Sequence, residues 1–367
     1  MHTDPTLDPE KLPEVLTPER SVFRIEFSGS GKEYFRIWIV NVALTIVTLG
    51  IYSAWAKVRN KQYFYGHTRL AGSSFEYTAD PVTILKGRLL VFSVVVIYQL
   101  ASYTQPILSL AMGLMLIPLL PWVVIKAVGF NLRYSSYRNL RFHFDGRYWQ
   151  AFKLYILWTL VIGISGGIAY PYVIWLRKQF LVNESRFGNE HFGFSGEAGY
   201  FYVVYICAIL IYIGALVGLG VTIGGIGALT QLDANTADNE SARVLSIIVM
   251  VLIALGFMVL AITFNSAIQS LISNFIWQHT NLKGIRFNLK LEVMPVTWIQ
   301  LSNILAIIFS IGLLIPWAKV RMLRYQLSRF SLHTTAAEFD EFIASERATI
   351  TATGGEFGDV LDLDLGL

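Results

Sequence analysis

Histidine, cysteine and serine are the side chains here that could ligate metal or act as bases and nucleophiles. The six histidines stand at positions 2, 67, 143, 191, 279 and 333. No two are spaced H-x-x-x-H, and no HExxH occurs, so no zinc-hydrolase helix is encoded. His67 and His279 occupy matching places in "YFYGHTRLAGSSFEY" and "FIWQHTNLKGIRFNL". A shared metal is conceivable, but a hydrogen bond within each loop is the simpler expectation. Cys207 is the single cysteine, so neither an intramolecular disulfide nor a cysteine metal cluster can form. Ser241 and the other serines lack a nucleophile context. "GLGVTIGGIG", Gly218 to Gly227, has glycine spacing but lies in an apolar run with no lysine. It reads as close helix packing rather than a phosphate loop. No catalytic residue, metal site or cofactor is expected, and the chain is read as a non-enzyme.

The elements around these residues are those of a membrane protein. Charged residues make up 15% and apolar residues 54%, where a soluble domain carries about 25% charged. The runs Leu89 to Ile125 and Phe201 to Gln231 contain no charged residue, and roughly 20 apolar residues suffice to span a bilayer. Seven apolar segments are marked: Phe35–Ala54, Leu89–Ala101, Pro106–Val128, Leu154–Trp175, Tyr200–Leu229, Val244–Phe264 and Trp298–Trp317. The expected class is mainly α, a polytopic membrane protein with internal repeats and short β elements in the repeated loops. Residues 1–20 are polar and Pro-rich, lack the pattern of a signal peptide and are expected to be disordered. Residues 21–335 form the membrane domain. Residues 336–367 form an acidic tail whose end, "DVLDLDLGL", alternates acidic and apolar residues. That tail is expected either to stay solvated or to dock as an extended strand.

Repetition is visible in the connectors. "WAKVR" occurs at Trp55 and again at Trp317, each time where an apolar run meets a basic one. An ungapped alignment sets Gly50 onward against Gly167 onward, pairing Phe75 and Tyr77 with Phe192 and Phe194; Phe27 and Gly29 meet Phe144 and Gly146 at the same offset. Phe142 follows Trp122 at the distance by which Phe75 follows Trp55. The pairs Phe75/Tyr77, Phe142/Phe144, Phe192/Phe194 and Phe287/Leu289 alternate with polar residues, as do Phe23, Ile25 and Phe27, and each is expected to be a half-buried strand. Trp55, Trp122, Trp175 and Trp317 stand at segment margins, where indole rings favour the membrane interface. With Lys57, Arg59, Lys61, Lys126, Arg177, Lys178, Lys319 and Arg321 they form the expected lipid-binding belt. Asn41 and Asn303 align between the first and last copies; they are expected either to make a helix contact or to line a path.

Two topologies compete. If all seven segments cross, Lys and Arg divide 18 to 11 between the two sides. If segments one, four and seven fold back at "TLGIYS", "GISGGIAYP" and "FSIGLLIP", the division is 28 to 1, with only Arg243 outside. The second obeys the bias of cations toward the cytoplasm and is preferred.

The stretch "EYFRIWIVNVALTIVTLGIYSAWAKVRNKQYFYGHTRLAGSSFEYTADP", the later "PWAKVRMLRY" and the ending "GGEFGDVLDLDLGL" resemble the YjgN-like family of bacterial inner-membrane proteins, a domain family of unknown function. The resemblance runs from about Phe23 to Leu367. It implies a multi-pass inner-membrane location and, weakly, a membrane metalloprotease as partner. It supplies no reaction. The middle copy departs from the pattern, with Tyr172 in place of Trp55 and no cation at the places of Lys57 and Arg59.

The expected function is therefore a scaffold or a lipid- or protein-interacting membrane protein whose partners include anionic lipids and exclude nucleic acid. The alternative is a channel or transporter for a small solute.

Overall fold

A computed structural model describes residues 21–233 and 239–352. The first twenty residues, Asn235 and the alternating end of the tail lie outside the described residues. The chain begins with β1 (Ser21–Phe27), followed by α1 (Gly31–Val47), α2 (Ser53–Gly66), β2 (Thr68–Leu70) and β3 (Ser73–Tyr77). Next come α3 (Pro81–Thr104), α4 (Pro106–Leu116), α5 (Leu119–Arg133), β4 (Ser135–Tyr137) and β5 (Leu140–Phe144). α6 (Tyr148–Phe152) and α7 (Trp158–Ile164) flank one π turn and lead to α8 (Tyr170–Asn183), β6 (Ser185–Phe187), β7 (Glu190–His191) and β8 (Gly193–Phe194). The long pair α9 (Ala198–Asp233) and α10 (Asn239–Gln278) precedes β9 (Thr280–Leu282) and β10 (Ile285–Leu289). The last elements are α11 (Val293–Phe309), α12 (Ile315–Ser328), β11 (Phe330–Thr334) and α13 (Ala336–Ala352).

All strand pairings are antiparallel, in the order β7-β6-β5-β4-β3-β2-β1-β11-β10-β9-β8. β7 and β8 are two halves of one segment separated only by Phe192, so the ends of that order meet and the sheet closes into a ring. Closure works because strands change partner midway. β5 pairs with β4 at Leu140 and Arg141, then with β6 from Phe142 to Phe144. β1 and β11, from opposite ends of the chain, pair with each other and complete the circle.

The hairpin turns follow from local backbone. Ala71 with Gly72, Arg138 with Asn139, and Lys283 with Gly284 all take positive φ, the conformation a two-residue type I′ turn requires. The ring joins the helices through aromatic contacts: Phe27 packs with Tyr63, Tyr77 with Phe130, Phe144 with Phe180, Phe194 with Phe275 and Leu289 with Tyr325. Each joint sets the angle between a strand and the helix that enters the next hairpin. Gly146 is needed there, since a Cβ would lie 2.4 Å from the Phe144 ring and 2.7 Å from Phe180.

Among the described residues, three helices are long and apolar enough to cross a membrane: α3, the Ala198–Thr222 part of α9, and the Ile247–Gln278 part of α10. α4 and α5, bent by 43°, make a fourth if counted as one span. Among the described residues the seven apolar segments thus supply three or four candidate spans. The first, fourth and seventh apolar segments break at Leu49–Gly50, Gly166–Gly167 and Ile311–Gly312, where backbone φ is positive. The breaks make helical hairpins of α1 with α2 and of α11 with α12, while α7 doubles back onto α8. At each tip a hydroxyl accepts the N–H four residues on: Thr48 from Tyr52 at 2.9 Å, Ser165 from Ala169 at 3.1 Å and Ser310 from Leu314 at 3.0 Å. The glycine N–H of each tip donates back to the preceding helix, Gly50 to Thr45 O at 2.7 Å, Gly167 to Ile162 O and Gly312 to Ile307 O at 2.8 Å.

Candidate functional site

The inner wall of the ring is built from opposed side chains. Ile25 faces Leu70, Phe75 faces Tyr137, Phe142 faces Phe187 and Phe287 faces Leu332. Gly193 opposite Asn281 sets Phe192 against Leu282. These ten residues line one cavity of about 400 Å³. Strand alternation is the reason: residues two apart share a face, so the apolar member of each alternating pair points inward. The Tyr137 hydroxyl donates to Leu70 O at 2.6 Å, so its polar tip is satisfied within the wall. At the helix end the lining includes Trp277, Leu327, Ser273 and Gln326.

The opposite end is covered by α13. Phe339, Phe342 and Ile343 are buried in the same apolar cluster as the ring wall. α13 starts directly after β11 with a capping box: Thr335 Oγ1 accepts from Glu338 N at 3.2 Å, and Glu338 Oε2 accepts from Thr335 N at 3.1 Å. Polar contacts tie the helix to the hairpin tips. Arg138 pairs with Asp340 at 2.7 Å and lies over the Phe339 ring at 5.5 Å. Glu346, 4% exposed, accepts the Asn189 N–H at 2.8 Å, with Lys283 3.8 Å away. Gly188 is required beside it, because a Cβ would meet Glu346 Oε2 at 2.7 Å.

A second cavity of about 570 Å³ lies between α10, α11 and α12. Asn265, Gln300, Asn303 and Lys319 give it polar walls, and Ile304, Ile307 and Ile315 give it apolar ones. Gln326 lines both this crevice and the ring chamber.

The belt residues sit on the helices that enter the hairpins. Trp55, Lys57, Arg59 and Lys61 are on α2, Trp122 and Lys126 on α5, Trp175, Arg177 and Lys178 on α8, and Trp317, Lys319 and Arg321 on α12. Several bond within the protein. Arg59 donates to Tyr52 Oη at 3.0 Å, Arg177 to Thr159 Oγ1 at 2.7 Å and Arg321 to Ser302 Oγ at 2.6 Å. Trp175 Nε1 donates to Gly196 O at 2.8 Å. Lys61 donates to Asn131 and lies 4.5 Å from the Tyr77 ring centroid; burial, then the charge of Lys57, lowers its pKa to about 8. Lys57 is also lowered, by burial and then Arg88. Lys178 and Lys319 are exposed. Asn41 donates to Asn60 Oδ1 at 3.2 Å, and Asn303 to Ala318 O at 3.2 Å. Each amide therefore bridges the two helices of its own hairpin.

His67 and His279 play matching parts: each Nδ1 bonds the carbonyl one turn back, Tyr63 O at 2.7 Å and Phe275 O at 2.8 Å. Among the described residues, no group of three or more His, Cys, Asp and Glu is placed to hold a metal.

A family model described as "Bacterial protein of unknown function (DUF898)" matches residues 23–360. The chain belongs to this family. "Inner membrane protein YjgN" of Escherichia coli K12 is 33% identical over 142 residues, 37% of this chain and 36% of the relative. The protein of that name from Salmonella typhimurium LT2 is 30% identical over 143 residues, 38% and 36% of the two chains. The aligned stretch thus spans little more than a third of these relatives' length. No solved structure matches. The relatives' name and the apolar helices agree on an inner-membrane location.

The wall residues were visible in sequence as alternating aromatics, but the chamber was not. Its enclosure depends on β1 meeting β11 across the whole chain, and no local pattern encodes that. α13 lies within the stretch expected as an acidic tail, and the signal for it in the sequence is the capping pattern from Thr335 to Glu338.

Proposed function

We propose that the chain is a non-enzymatic, lipid-interacting membrane protein whose ring holds a hydrocarbon chain. The observation that carries this is the chamber: ligand-sized by the usual range of roughly 300–1,000 Å³ and walled by opposed aromatic and aliphatic side chains. An apolar guest entering this space of about 400 Å³ takes the aromatic and aliphatic wall out of contact with water, and the wall has little polar chemistry to offer any other guest. Native mass spectrometry of the purified chain tests the reading. The wild type is expected to retain fatty or lipid chains, and Phe142→Trp with Leu282→Trp, which fill the chamber, to retain several-fold less. Equal retention would remove the chamber from the account.

The same reading covers topology. The ring, with its five entering helices, is one unit copied five times, and the short helical hairpins dip into the bilayer from the ring side. Their tips support this: Leu49 and Ile311 are each 94% exposed, apolar side chains suited to lipid, while the tip N–H groups are bonded within the chain as a membrane interior requires. Anionic lipid is the proposed surface partner of the belt. A membrane metalloprotease is a proposed protein partner, to be sought by co-purification.

A solute path is the second reading, favoured by the amide-lined crevice with Asn303 on its wall. Solute flux in reconstituted vesicles that requires Asn303 would support it over the lipid reading.

A further inference from the structure

We propose that the crevice between α10, α11 and α12 docks one anionic phospholipid, and that Gln326 is the doorway through which a hydrocarbon chain passes from it into the ring chamber. This rests on the reading of the chamber given above. The crevice is graded like an amphiphile. Lys319 stands eleven residues before β11 and Gln300 eleven after β10, so at 1.5 Å per residue both lie about 16 Å from the ring. Ile304, Ile307 and Ile315 lie farther along the same helices, toward the membrane interior. A phospholipid with its phosphate at the level of Lys319 lays one acyl chain along these isoleucines, away from the ring, and the chain that reaches the chamber is the second, turned the other way toward Gln326.

Charge selects the occupant. Lys319 is exposed and has no carboxylate partner among the described residues, whereas its neighbour Arg321 is held by Ser302 and Asn303. An ammonium group at the margin of an apolar wall is matched by a lipid phosphate. Asn265 adds an amide on the apolar helix α10. An amide left unpaired in hydrocarbon costs several kcal/mol, and a glycerol ester would satisfy it. Gln300 is already oriented, accepting from Ser266 at 2.9 Å and donating to Gln269 at 3.1 Å. On the ring side of this polar shelf, seven residues from Lys319 along α12, Gln326 is the side chain common to crevice and chamber.

The test reconstitutes the full chain in vesicles of phosphatidylcholine with one-fifth phosphatidylglycerol, by rough design. A photoreactive diazirine is placed at the acyl terminus of one lipid or the other, and cross-linked peptides are mapped by mass spectrometry. Phosphatidylglycerol is expected to label both the crevice helices and the strands β5 and β6. K319Q should lower crevice labelling roughly tenfold, the effect of losing one charge-assisted contact, and K319R should restore it. Phosphatidylcholine should label weakly and be indifferent to either variant. Q326W should keep crevice labelling and lose chamber labelling, with melting temperature and gel-filtration profile unchanged. K319Q labelling at wild-type yield overturns the docking site. Chamber labelling that survives Q326W overturns the doorway and leaves the chamber reading standing. Wild-type protein labelled in the crevice by phosphatidylglycerol, but in the chamber by neither lipid, overturns the chamber reading and the doorway together.

Discussion

Phe142 and Phe187 face each other across the β5–β6 pairing with ring centroids 4.6 Å apart. Phe75 and Tyr137 repeat the relationship across β3–β4 at 4.8 Å. Such pairs add about 0.5–1.5 kcal/mol beyond the area they bury, and here they serve as seams between successive hairpins. The same rings form the chamber wall, so the contacts that close the ring also define what it can hold.

Phe142→Ala is therefore expected to lower stability by about 2 kcal/mol, below the roughly 3–5 kcal/mol of a fully enclosed phenylalanine, because one side of the ring faces the chamber. Thermal unfolding in detergent measures it. Phe142→Leu should recover most of the loss, and a null effect for Phe142→Ala would mean the seam does not hold the ring together.

The contacts of α13 are unequal. Asp340 is 68% exposed, so Asp340→Ala should cost only about 0.5 kcal/mol. Glu346→Ala removes a buried acceptor from the Asn189 N–H and should cost about 1 kcal/mol or somewhat more. Hydrogen exchange along α13 reports both, with Glu346→Ala giving the greater loss of protection. The reverse order would contradict the assignment of Glu346 as the principal tie.

The short hairpins predict a topology. In a Cys207→Ser background, single cysteines at Asn189 and Gly284, both on hairpin tips of the ring, should react with an impermeant thiol reagent from the cytoplasmic side. A cysteine at Gln105, between α3 and α4, should react only from the other side. Labelling of Gln105 and Asn189 from one side would exclude the arrangement. Gly50→Ala and Gly312→Ala force a Cβ onto φ of 94° and 86° and should each cost about 1 kcal/mol.

Lys61 predicts a pH dependence. Its folded pKa, about 8, lies below the unfolded value of roughly 10.4. Between these values the unfolded chain binds more protons, so this group makes stability rise with pH across the window. Lys61→Met should be more stable than wild type at pH 7, with the advantage shrinking as pH approaches 10. Melting curves of both proteins across that range test it; an advantage that grows with pH would refute the burial of the charged form.

Much of this was legible in the sequence. Alternation at Phe75/Tyr77, Phe142/Phe144, Phe192/Phe194 and Phe287/Leu289 located strands, because a period of two is a local property. "TLGIYS", "GISGGIAYP" and "FSIGLLIP" located the three helix breaks, because Gly50, Gly167 and Gly312 supply the backbone freedom a reversal needs. The closing pair β1–β11 joins residues some 300 positions apart, and only the three-dimensional circle makes it inevitable. The partners of the belt arginines were not legible: Arg177 and Arg321 each donate to a hydroxyl on the neighbouring helix, a contact that depends on how the hairpin folds back.

A high-resolution structure of the full chain purified into lipid nanodiscs is the most direct measurement. The account predicts elongated density inside the ring, in contact with Phe142, Phe187 and Phe287 and covered by α13. A chamber filled with ordered water, or collapsed so that its own side chains meet across it, would contradict the central claim.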